Sequence, residues 1–169
     1  MKKQQESVSL IIRLLCIVPY SLPLLEGFQD FGHNVIADYP FGIMKLYKKT
    51  LMPIVMYYSN NSWVSIVIFF VLYYFIVSPK SPIPIHRMLK FNTLQAIILY
   101  TLIIVLANIF RLLPADFRFW MYGSMLSNTL FWVVLSTVFY AISHALRGTY
   151  SQIPVISEGA KMHIDFGPE

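Results

Sequence analysis

Charge is what this sequence has least of. Of its 169 residues only 12% are Asp, Glu, Lys or Arg, while 57% are hydrophobic. A soluble domain of this length needs far more charge to cover its surface. The balance therefore points to an integral membrane protein, with residues 1–169 forming one membrane domain. Cysteine is nearly absent too. The single Cys16 excludes an internal disulfide framework and a cysteine-rich metal site. Histidines His33, His86, His144 and His163 are dispersed, and no i, i+4 pair suggests a metal. There is no glycine-rich phosphate loop and no serine nucleophile elbow. Glu26, Asp30 and Asp38 share one stretch, but their spacing fits no acid/base pair. They are expected in a solvated loop, with no paired carboxylates inside the membrane. Neither an enzyme nor a bound cofactor is expected.

What is there is a set of long apolar runs. Four transmembrane segments are expected, at about 8–25, 62–78, 92–113 and 123–146. The N-terminus could pass for a signal peptide. Arg13 interrupts its apolar run, however, and no small-x-small cleavage site precedes Glu26, so a retained first segment is expected. Pro19 and Pro23 should kink its far end. Residues 26–61 form a long connection. Within it Lys45, Lys48 and Lys49 alternate with Ile43, Met44, Leu46 and Leu51, which suits a short amphipathic element lying in the interface and broken at Pro53. Pro79, Pro82 and Pro84 should hold the next loop extended. The tail 148–169 is polar, is punctuated by Pro and Gly, and is not expected to span.

Polar residues are grouped on the apolar segments. Ser9, Arg13, Cys16 and Tyr20 recur at i, i+4, i+7 and i+11, on one helical face. In the third segment Thr93, Tyr100, Thr101, Asn108 and Arg111 share a broad face, with Asn92 and Gln95 to one side of its entrance. In the fourth, Thr129, Ser136, Tyr140, Ser143, His144 and Arg147 form another stripe. Such stripes either hydrogen-bond to one another and specify helix packing, or line a hydrated path for a polar substrate. The sequence alone leaves both open.

Four spans put both termini on one side. Lys and Arg number eight on that side and five on the other. The positive-inside rule thus places the termini on the cytoplasm-like side. The net charge of +5 fits loops facing anionic headgroups. No basic run is dense enough to track nucleic-acid phosphates.

The stretch Phe91-Asn92-Thr93-Leu94-Gln95-Ala96-Ile97 follows a basic loop and opens the third segment. It resembles the corresponding helix start of the twenty-kilodalton subunit family of the Tic complex, the protein import translocon of the chloroplast inner envelope. Three further stretches agree in order: Tyr20-Ser21-Leu22-Pro23-Leu24-Leu25-Glu26-Gly27, Leu51-Met52-Pro53-Ile54, and the tail from Gly148 to Ala160 with its Ile153-Pro154-Val155-Ile156-Ser157 core. One departure is Tyr100, where many members carry an acid. The resemblance implies an all-α bundle of four transmembrane helices with both termini in the stroma. It implies a role in moving unfolded preproteins beside other Tic translocon subunits, in a plastid inner envelope or a cyanobacterial plasma membrane. Four short helices enclose little room, so partner subunits or a homo-oligomer are expected, in contact with membrane lipids. Two other readings are a structural or assembly subunit without a conducting role, and a small-solute or ion carrier. The carrier is weakened by the lack of an internal repeat.

Overall fold

The structure is a computed structural model and describes residues 9–32, 43–78 and 85–165. The described residues form helices and no strand. The all-α membrane bundle expected from the sequence is therefore what is found. Three helical stretches are long and apolar enough to cross a membrane: Leu10–Gly32, Arg87–Leu112 and Met121–Leu146. A fourth crossing is counted if the bent pair Met52–Asn60 and Ser62–Val77 is one span.

The first stretch is segmented by its prolines. Helix α1 (Leu10–Leu15) gives way to a 3-10 turn at Val18–Tyr20, then α2 (Ser21–Gly27) and a π-helical turn at Phe28–Gly32. Pro19 has no N–H to donate, so the ladder tightens to i, i+3 bonds such as Tyr20 N–H to Ile17 O. Pro23 lies in the first turn of α2, where a missing N–H is harmless. The helical run passes the expected end at residue 25 and carries Glu26 and Asp30 with it. This corrects the expectation of a solvated loop there. Phe28 and Phe31 continue the apolar face and give that turn something to bury.

Helices α3 (Ile43–Thr50) and α4 (Met52–Asn60) occupy the expected amphipathic region. They meet at Leu51, and Pro53 falls in the first turn of α4. Lys45, Lys48 and Lys49 are exposed while Tyr47 is buried. Helix α5 (Ser62–Leu72) ends in a π-helical turn, Tyr73–Val77, and is bent by 92° from α4.

Helix α6 (Arg87–Leu112) starts five residues before the expected segment, because the His86 side chain accepts from Met88 N–H and caps it. The short α7 (Ala115–Phe119) leads to α8 (Met121–Leu146). The tail is more than a polar appendage. It folds into α9 (Ile156–Asp165), which packs on α6 and buries Ile156, Ser157 and Ala160. The residues expected in loops at Asp38 and Pro79–Pro84 lie outside the described residues.

Span one (Leu10–Gly32) sits between α6 and α8. Gly27 permits this approach, since a Cβ there would lie 2.7 Å from Val134 Cγ1. The aromatic core follows from it. Phe28 meets Phe131 edge-on at 5.2 Å, and Phe31 meets Phe110 at 6.2 Å. The start of α1, the start of α6, the end of α8 and α9 share one end of the bundle, as an even number of crossings requires. Cys16, Met88 and Ala145 pack together there.

Candidate functional site: two buried polar nodes and an outward stripe

The first node lies near the terminus-bearing end and joins span one, α6 and the tail. The Tyr20 hydroxyl donates to Gln95 Oε1 at 2.7 Å and lies 3.1 Å from Asn92 Oδ1. Ser151 Oγ donates to the same Gln95 oxygen at 2.6 Å. The Gln95 amide nitrogen donates to Ser157 Oγ at 2.7 Å. Ser157 Oγ accepts in addition from Ile153 N–H and donates to Ser151 O. Asn92 Nδ2 donates to Met88 O, one turn back. Both lone pairs of Gln95 Oε1 and the hydroxyl of Ser157 are thereby used. Gln95, Asn92 and Tyr20 are wholly excluded from the surface. Cys16 is buried beside Asn92. Thr93 Oγ1, equally buried, has no partner among the described residues.

At the rim of this node Tyr150 packs its ring edge-on to Phe91 at 5.0 Å. Burial pushes the Tyr150 phenol above its ordinary range, and the neighbouring Arg87 charge works against that rise. Arg13 is half-buried, and its Nη1 donates to Leu146 O at 3.5 Å. A cation is thus placed at the negative end of α8. Its guanidinium lies over Gly148, whose φ of 73° ends the helix in the left-handed region. Ser9 is exposed and joins neither the node nor a cap.

The second node lies toward the opposite end. Tyr58 of α4 donates to Glu26 Oε2 at 2.7 Å, and Glu26 is only 8% exposed. Tyr100 packs with Tyr58 and Leu22 in the same cluster, and Ser65 of α5 adjoins both phenols. So a carboxylate does stand in the layer of Tyr100, supplied by span one rather than by α6. One turn on, Asp30 pairs with Arg111 at the end of α6. The Asp30 side chain is 4% exposed and that of Arg111 is 53% exposed. Asp30 Oδ2 is buried without a partner among the described residues.

The third feature faces outward. On α8 the buried residues Ser127, Phe131, Val134, Val138, Ala141 and Ala145 form one face. Thr129, Ser136, Tyr140 and Ser143 fall in a sector of about 60° pointing away from it. Thr129, Ser136 and Tyr140 are exposed, and Ser143 is half-buried. The three hydroxyls of Thr129, Ser136 and Ser143 bond back to carbonyls of their own helix. The Tyr140 ring stands 4.3 Å from the half-buried His144 ring. On α6, Asn108 is exposed as well, and its amide donates to Ile104 O.

The polar residues picked out by spacing thus divide into groups. Cys16, Tyr20, Asn92, Gln95 and Tyr100 are interior. Asn108, Ser136 and Tyr140 are on the outside, with His144 half-buried beside Tyr140. Ser151, Ser157 and Tyr58 complete the nodes but carry no helical stripe of their own. The hint for the tail is the apolar set Ile153, Ile156 and Ala160, which needs a surface to cover. The hint for Glu26 is that Phe28 and Phe31 prolong the apolar run around it.

Residues 3–160 match the family profile described as "Chloroplast import apparatus Tic20-like". "Tic20 family protein Ycf60" of Gracilaria tenuistipitata var. liui is 48% identical over 158 residues, covering 94% of this chain and 78% of that protein. A "Tic20 family protein" of Synechocystis sp. is 28% identical over 159 residues, covering 91% and 93%. "Protein TIC 20-v, chloroplastic" of Arabidopsis thaliana is 28% identical over 166 residues, covering 96% and 75%. This chain therefore belongs to the Tic20-like family of the chloroplast import apparatus, as a multi-pass membrane protein of that type.

Proposed function

We propose that the chain is a membrane subunit of the protein import translocon of the plastid inner envelope, and that the outer face of α8 contributes to a path for unfolded preproteins. The observation that supports this is the exposed stripe Thr129, Ser136 and Tyr140 on the side of α8 away from the core. The Thr129 and Ser136 hydroxyls bond back to their own helix and Tyr140 accepts from Gln152 N–H, yet their remaining lone pairs face outward, where a hydrated or peptide-bearing surface can use them and hydrocarbon cannot. The bundle interior is the poorer place for a path. Its polar side chains hydrogen-bond mostly to one another, and its core positions are filled by Phe28, Phe31, Phe110 and Phe131. The path is then shared with other Tic subunits or with further copies of this chain, which close it from the far side.

Photo-crosslinking groups at Ser136 and Tyr140 should capture a preprotein stalled in transit, and the same group at Asn92 or Gln95 should not. Crosslinks from Ser136 and Tyr140 to lipid and subunits alone would remove the conducting role. The second reading, a structural or assembly subunit, is favoured by the closed Tyr20–Gln95–Ser157 network, whose chemistry is that of packing. On that reading purification returns a stable complex without preprotein.

A further inference from the structure

The flank built from α4 and α5 is shorter than the rest of the bundle. Helix α5 and its π-helical turn have 11 and 5 residues, which rise at most about 24 Å. Helix α6 has 26 residues, about 39 Å by the same rise. At the terminus-bearing end Val77 packs with Phe91 and Leu94, so α6 starts about one turn farther out than α5 ends. At the other end Phe69 meets Tyr100 at 6.2 Å, and α5 runs on past that contact to Ser62, which brings it level with about Ala107 of the antiparallel α6. Helix α6 runs on to Leu112, five residues beyond Ala107, or about 8 Å.

Where α5 stops, the chain turns by 92° into α4, which therefore lies across the α5 axis. The corner is Ser59-Asn60-Asn61-Ser62, four polar residues in a row. Ser59, Asn60 and Ser62 are exposed and Asn61 is half-buried. Directly inside the corner is the Tyr58–Glu26 bond. Beside the corner and above it, α6 exposes Leu106, Ile109 and Leu112, with Asn108 and Arg111 among them. A flat hydrocarbon layer of about 30 Å cannot suit both flanks. It would place the polar corner in hydrocarbon or the outer turns of α6 in water.

We propose that this chain binds a locally thinned bilayer at the α4–α5 corner, with lipid headgroups and interfacial water drawn in to the level of Ser59 and Ser62. Compressing lipid chains on one flank is a small cost spread over many molecules. Holding unsolvated serine and asparagine groups in hydrocarbon is a large cost at one place. Helix α3 favours the same geometry. It joins α4 at Leu51 and exposes Lys45, Lys48 and Lys49, which attract anionic headgroups to this rim. The Ile54, Met56 and Tyr57 side chains exposed on α4 then rest in the upper acyl region, as an interfacial helix does. The inference concerns lipid alone and stands whether or not a preprotein passes along α8.

The test uses the full chain in proteoliposomes of mixed neutral and anionic lipid. In a Cys16→Ser background, nitroxide labels are placed singly at Ser59→Cys, Asn60→Cys and Leu106→Cys. Leu106 is exposed and lies next to Ala107, at the height of the corner but on the long flank. Collision with a water-soluble nickel chelate should be several-fold greater at 59 and 60 than at 106, and collision with oxygen should be greatest at 106. Equal burial of all three labels in hydrocarbon would overturn the proposal, and so would equal exposure of all three to the chelate. Circular dichroism of each labelled variant establishes that the helices are intact, and the two corner positions serve as replicates if one variant fails to fold.

Discussion

The Tyr20 hydroxyl donates to Gln95 Oε1 at 2.7 Å across 75 residues of sequence. That single bond ties the proline-broken first span to α6. The same oxygen takes the hydroxyl of Ser151, so one side chain holds three parts of the chain at once. Removing Gln95 should therefore hurt more than removing any partner. Gln95→Leu leaves the Tyr20, Ser151 and Ser157 hydroxyls short of a partner, a loss of about 3 kcal/mol when unsatisfied buried groups cost about 1–3 kcal/mol each. Tyr20→Phe deletes one donor and leaves Gln95 its Ser151 bond, so about 1 kcal/mol is expected. Thermal unfolding in detergent should rank wild type above Tyr20→Phe and Tyr20→Phe above Gln95→Leu. A reversed order would mean that the node is not centred on Gln95.

The tail should be held by the same node. Ala160 is fully buried between α9 and α6. Ala160→Leu overpacks that seam by about 1–3 kcal/mol. Limited proteolysis from the terminus-bearing side should then cut near Ser151 to Ile156 faster, while Lys161→Gln, at an exposed position, should not change the rate.

Arg13 and Gly148 make a pair suited to a double-mutant cycle. Gly148→Ala places a Cβ 3.1 Å from Arg13 Nε and strains a left-handed residue. The backbone part amounts to about 1 kcal/mol. Arg13→Ala removes the cation from the end of α8, about 0.5–1 kcal/mol. In the double variant the steric part of Gly148→Ala should vanish and the backbone part remain. Full additivity of the two melting shifts would show that the guanidinium does not press on residue 148.

At the opposite end Asp30 and Arg111 are unequal partners. Asp30 is the enclosed one and Arg111 the half-exposed one. Arg111→Ala strands a buried carboxylate, and about 2 kcal/mol of stability should be lost, below the range of about 3–5 kcal/mol for fully buried pairs. Asp30→Asn keeps the volume, removes the charge and leaves Arg111 able to reach solvent, so it should be the milder change. Adding Asp30→Asn to Arg111→Ala should recover part of the loss. No recovery in chemical unfolding would argue against the ion pair.

Much of this protein was decided by its composition. With so little charge, the apolar runs around Ile98 and Val134 have no alternative to a membrane. Lipid gives unpaired backbone no partner, and runs this long and continuously apolar satisfy it as helices, not as the short alternating strands of a barrel. The stripes at Cys16, Tyr20, Asn92, Gln95 and Ser136 were legible too, because helical periodicity is a local property. What each stripe faces is not local. Asn92 and Ser136 look alike in sequence, yet one is sealed against Tyr20 and the other points outward. That difference depends on which neighbour lies across the helix, and the neighbour comes from a distant part of the chain. The same reason hid Glu26 among loop residues. Only the packing of Phe28 on Phe131 and Phe31 on Phe110 turns its stretch into the end of a span. The tail helix was likewise unreadable by itself: Ser157 bonds locally to Ile153 N–H and Ser151 O, but it is tied to the bundle only when Gln95 donates to it. Periodicity thus determined the helices and their polar faces, and tertiary contact alone decided which faces were enclosed and which were left to the membrane.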